Sequence, residues 1–89
     1  MKKQYEKAYN ELKAIGVPVI QGDMNDDPDR FRISAETGEN WADYWAIGFN
    51  ETELGLDDFG VNPKINTILD KHGLYAEWYD PGTLGVYEV

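Results

Sequence analysis

Residues 62–89 read NPKINTILDKHGLYAEWYDPGTLGVYEV, and this stretch decides the fold because it spells a short capped helix running into a β-hairpin. Asn62 is a good N-cap, and Pro63 follows at the first helical position, where a missing N–H costs nothing. Ile65, Ile68, Leu69 and His72 recur at i, i+3, i+4 and i+7, one face of a 3.6-residue period that must pack on something. Gly73 is placed to stop the helix as its C′ residue. Leu74, Ala76 and Trp78 then alternate with Tyr75, Glu77 and Tyr79, as in a half-buried strand. Asp80-Pro81-Gly82-Thr83 supplies a four-residue turn with Pro at i+1 and Gly at i+2, and Leu84 to Val89 returns as a second strand.

Working outward, Lys3 to Ile15 has the pattern of an amphipathic helix, with Tyr5, Ala8, Tyr9, Leu12 and Ile15 on one side and Gly16 ending it. Val17-Pro18-Val19-Ile20 is a short apolar run with a proline inside, which suits an edge strand or an extended lead-in. Gly22 to Asp29 is loop by composition, and Phe31, Ile33 and Ala35 alternate with Arg30, Arg32 and Ser34 as a strand. Glu36-Thr37-Gly38-Glu39-Asn40 predicts a hairpin connection into a further strand over 41–49, where Trp41, Asp43, Trp45, Ile47 and Phe49 share one face. Residues 50–61 are a linker. The order is α-β-β-β-α-β-β, which predicts a single α+β domain over 1–89: a small antiparallel sheet of four to five strands with two helices packed on one face.

The chain has 89 residues, no Cys and a net charge of −9. Absence of Cys removes disulfides, thiolate nucleophiles and Cys-ligated metals, and with no signal peptide or long apolar run it favours a cytoplasmic protein. The charge is concentrated. Residues 1–21 carry four Lys against two Glu, residues 22–58 carry eleven acids against Arg30 and Arg32, and residues 59–89 carry four acids against two Lys. Direct binding to nucleic acid is disfavoured by that field, because phosphate contacts need Lys and Arg. A basic partner surface, or simple solubility, fits it better.

Asp23, Asn25, Asp27 and Asp29 stand at alternate positions, as at the opening of a calcium loop, but Pro28 sits where Gly is needed and Ser34 where a bidentate Glu is needed. The segment is then a solvated acidic loop, a partner-facing acidic patch or, since calcium can be held in other loop geometries, a cation site. His72 is the sole His and Ser34 the sole Ser, which leaves little material for a Ser-His-Asp arrangement, and no glycine-rich phosphate loop is present. The expectation is a non-enzyme without cofactor or metal. Trp41, Trp45 and Trp78 are expected mostly in the core, whereas Tyr44, Tyr75, Tyr79 and Tyr87 divide between core and interface.

The runs His72-Gly73-Leu74-Tyr75-Ala76-Glu77-Trp78, Leu84-Gly85-Val86-Tyr87-Glu88 and Asp29-Arg30-Phe31-Arg32-Ile33-Ser34 resemble small proteins of unassigned function carried by phages and plasmids, over most of the chain. That resemblance implies a mobile-element setting, in which small acidic proteins often antagonise host defence, as anti-CRISPR and anti-restriction inhibitors that resemble DNA in charge do. The leading expectation is therefore an acidic binding protein that occupies a basic, nucleic-acid-binding surface of a host defence complex. Its predicted partner-binding residues are Asp23, Asp26, Asp27, Asp29, Glu36 and Glu39, with Tyr75 and Tyr79. The alternative is a structural or regulatory module that binds through an aromatic sheet face, with the charge serving solubility. Under either, the partner is a protein, nucleic acid and membrane are not bound directly, and pairing into a homodimer is left open.

Overall fold

A computed structural model describes residues 1–36, 41–46, 56–57 and 59–89. Among them the elements are α1 (Lys3–Ala14), β1 (Val19–Gln21), β2 (Phe31–Ser34), a 3-10 turn (Tyr44–Ala46), α2 (Pro63–Lys71), β3 (Leu74–Asp80) and β4 (Thr83–Glu88). The four strands form one antiparallel sheet in the order β1-β2-β4-β3. The fold is α+β.

The C-terminal unit forms as its residues dictate. The Asn62 side chain accepts from the Lys64 N–H at 2.9 Å, closing the first turn of α2 above Pro63. His72 caps the other end, and Gly73 turns the chain into β3 with φ +71°, a conformation that a Cβ would resist. At the hairpin tip the Asp80 carboxylate accepts from the Gly82 N–H at 2.9 Å, fixing Pro81-Gly82 between the strands.

Register places Ile33 opposite Leu84, and Leu84 opposite Trp78, so one face of the sheet carries Phe31, Ile33, Leu84, Val86, Leu74, Ala76 and Trp78. Tyr5, Ala8 and Leu12 of α1 and Ile65 and Leu69 of α2 pack with this face into a single core. Phe31 sits at its centre, edge-on to the rings of Tyr5 and Tyr9 at 6.2 and 5.5 Å. The helices are joined at the surface through Glu11, whose carboxylate accepts from Lys71 Nζ at 2.6 Å and meets His72 Nε2.

The strand expected over 41–49 does not form in its described part. Ala42 makes one isolated bridge to Val61, Asn62 N–H bonds to the Trp41 carbonyl, and the chain then coils into the Tyr44–Ala46 turn. Asp43 is the reason: its carboxylate accepts from the Trp45 N–H at 3.0 Å, offering the backbone a local partner in place of a ladder. Trp45, expected in the core, is 73% exposed. Residues 47–49 of that strand, the hairpin connection over 37–40 and most of the linker lie outside the described residues.

Candidate functional site: the outer sheet face and its acidic rim

Side chains on the other face of the sheet alternate with the core set. Tyr75 pairs with Tyr87, and Glu77 with Gly85, which in turn faces Arg32. Among the described residues, no helix or strand covers this outer face. Tyr75 is 43% and Tyr79 59% exposed, and Glu77 is exposed between them. The rings of Tyr75 and Tyr87 lie 5.7 Å apart at a 37° tilt.

Gly85 makes this arrangement possible. A Cβ there would collide with the Tyr87 hydroxyl and meet Met24 Cε at 2.8 Å, so the tyrosine folds across the strand only because position 85 has no side chain. Burial, with the neighbouring Glu77 carboxylate, pushes the Tyr87 phenol above its ordinary pKa.

The predicted acidic loop borders the same face at its β1 side, and most of its carboxylates are engaged. Asp23 Oδ1 accepts from the N–H groups of Asn25 and Asp27 at 2.8 and 3.0 Å; these bonds hold its carboxyl below the usual range. Asp27 accepts from the Asp29 N–H at 2.9 Å, and its other oxygen is 3.8 Å from Arg30 Nε. Asp29 lies 3.3 Å from the Met1 amino group. Asp26 differs. It is exposed, adopts φ +60°, and among the described residues its carboxylate has no partner.

Glu36 stands apart from these acids. It follows β2 at the end opposite the loop, lies against Gly82 of the hairpin, and is separated from Asp29 by roughly 15 Å or more of strand. The loop and Glu36 therefore do not make one patch among the described residues, and Glu39 lies outside them. Tyr79 is at the Glu36 end of the sheet and Tyr75 at the loop end. Asp23 and Asp26 thus lie at the same end of the sheet as Tyr75, but on the β1 side, with β2 and β4 between them and β3.

Glu77, Tyr87 and Gly85 were not among the predicted partner-binding residues. The signal for Glu77 and Tyr87 was present in the strand alternation, which puts 75 and 77 together and 87 across from 75; at Tyr79 the register shift between Trp78 and Asp80 breaks the alternation. Gly85 inside a strand marks a close approach. Exposed Phe59 (69%) was also missed; its carbonyl accepts from Trp78 Nε1 at 2.7 Å, and Tyr44 stands edge-on to Trp78 at 5.5 Å. Among the described residues no three acidic or histidine side chains converge to hold a metal ion, and no helix is long and apolar enough to cross a membrane. No protein-family model, curated protein or solved structure matches this chain.

Proposed function

We propose that the chain is a non-enzymatic protein-binding module that engages a basic partner through the outer sheet face. Tyr75 and Tyr87, with Tyr79 at the hairpin end, supply contact area at low conformational cost, and Glu77 and Asp26 orient the partner's cations. The observation that carries this reading is the exposure of tyrosines around Glu77 on a sheet face that no described element covers. An enzyme-like use of these groups has no nucleophile–base pair to support it among the described residues.

A second reading, a DNA-like inhibitor that occupies the nucleic-acid-binding surface of a host defence complex, draws on the concentration of eleven acids in residues 22–58. Mimicry of a phosphate chain uses carboxylates that are free and serially spaced. Asp23, Asp27 and Asp29 spend theirs on the loop and the N-terminus.

Affinity capture with the tagged protein from its host's lysate, eluted by rising salt, separates the two. The outer-face reading expects a protein partner that free DNA does not displace, that salt weakens only in part, and that is lost with Tyr75→Ala. A partner released by moderate salt or DNA, lost on reversal of Asp26, Asp27 and Asp29 to Lys but retained by Tyr75→Ala, overturns it in favour of mimicry.

A further inference from the structure

The two edges of the sheet are finished differently. β1 has three residues and follows Pro18, and a short, proline-led edge offers little to a further strand. β3 has seven residues, and among the described residues no strand pairs with its outer side. Across the β3–β4 ladder Val89 donates its N–H to the Gly73 carbonyl. Such bonds recur at every second residue of an antiparallel pair. Tyr75 and Glu77, in step with Gly73, therefore direct their N–H and C=O groups to β4. Leu74, Ala76 and Trp78 direct theirs to the open edge.

Two clefts border this edge. One of about 370 Å³ lies between α2 and the start of β3, beside Thr67, Asp70 and Leu74. The other, about 270 Å³, is lined by Phe59, Ala76 and Trp78 among others. The charged groups near the strand are Asp70, Glu77, Asp80 and, opposite Leu74, Glu88 with the Lys2 that it binds; Lys71 is engaged by Glu11 on the far side of α2.

We propose that the β3 edge is a strand-addition site for an extended basic segment of a partner protein. The segment's backbone pairs with Leu74, Ala76 and Trp78; its alternate side chains set Lys or Arg against Glu77 and small apolar groups into the Phe59–Trp78 cleft. Charge selects this occupant. An acidic strand would meet Glu77 directly, and a second copy paired about that residue would set Glu77 against its own counterpart, with −9 on each chain. The register shift between Trp78 and Asp80 ends the usable ladder, so the site takes a short segment. This inference concerns a backbone edge and does not rest on the outer-face tyrosines.

The test is a titration of the full chain with a synthetic peptide alternating Lys and Val, followed by amide NMR and hydrogen exchange. A peptide of identical charge, N-methylated at alternate residues so that it cannot form the ladder, serves as control. The expected result is protection of the Leu74, Ala76 and Trp78 amides by the first peptide and none by the second. Glu77→Lys should weaken the Lys–Val peptide roughly tenfold and admit a Glu–Val one. Ala76→Pro, which removes an outward N–H, should abolish binding; if it does not fold, Glu77→Lys with unchanged circular dichroism carries the comparison. Equal binding of both Lys–Val peptides, or protection at Val19–Gln21 in place of β3, overturns the proposal. So does concentration-dependent dimerisation in sedimentation that competes with the peptide, since the edge would then serve a second copy.

Discussion

The two faces of the sheet are built from the same four strands and do opposite things with aromatic area. On the inner face Phe31, Ile33, Leu84 and Val86 are fully buried beneath α1 and α2, and Phe31 is locked edge-on between Tyr5 and Tyr9. On the outer face Tyr75 stands beside Glu77 with much of its ring in water, Tyr87 lies half-buried across Gly85, and Tyr79 is exposed at the hairpin end. Solubility would be served by Lys, Glu or Thr at those positions. Packing, then, resides on one face, and the proposal that the other serves recognition requires that the two can be altered separately.

Phe31→Ala should give the largest effect, a loss of about 3–5 kcal/mol in urea unfolding, because it empties the centre of the core. A comparable loss for Tyr75→Ala would erase the contrast between the faces. Gly85→Ala comes next: the new Cβ forces Tyr87 and Met24 aside, at about 1–3 kcal/mol, and should weaken the partner in the same capture assay. Tyr5→Phe sharpens the inner-face picture. Its hydroxyl is buried with no hydrogen-bond partner among the described residues, so removal should raise stability by up to about 1 kcal/mol in the same assay. Tyr75→Ala and Tyr79→Ala should each change stability by no more than about 0.5 kcal/mol while lowering partner affinity.

The smallest effect expected is a response to acid. The carboxyls of Asp23 and Glu11 are held below their ordinary values, Asp23 chiefly by backbone N–H donors and Glu11 by Lys71 and then His72. A depressed folded-state value stabilises at pH above the unfolded carboxylate value, and that contribution is lost as pH falls through the folded one. Hydrogen exchange in the 22–30 loop should therefore quicken below about pH 4, before β3 and β4 loosen, and Asp23→Asn should remove the difference.

Residues 62–89 were legible because each local signal agrees with the next: cap, apolar stripe, stop glycine, alternation and turn all specify one path. The middle was harder. Trp41, Trp45 and the tyrosine between them satisfy an alternating pattern, yet Asp43 bonds its own backbone and diverts the chain, an event that side-chain periodicity does not register. The acids of 23–29 were correctly placed in a loop, but composition is blind to which carboxylates turn inward. Only the hydrogen bonds of Asp23 and Asp27 separate these supports from Asp26.

The placing of the tryptophans gives the molecule its own optical gauge. Trp45 is open to water and should emit at the red end of the indole range whatever happens elsewhere. Trp78, half-buried on β3 with its Nε1–H on the Phe59 carbonyl, lies on the strand whose outer side no described strand covers. With Trp41 and Trp45 both replaced by Phe, so that Trp78 emits alone, a strand arriving beside β3 would dry its indole and move the emission to the blue, and occupancy could be followed in unlabelled protein.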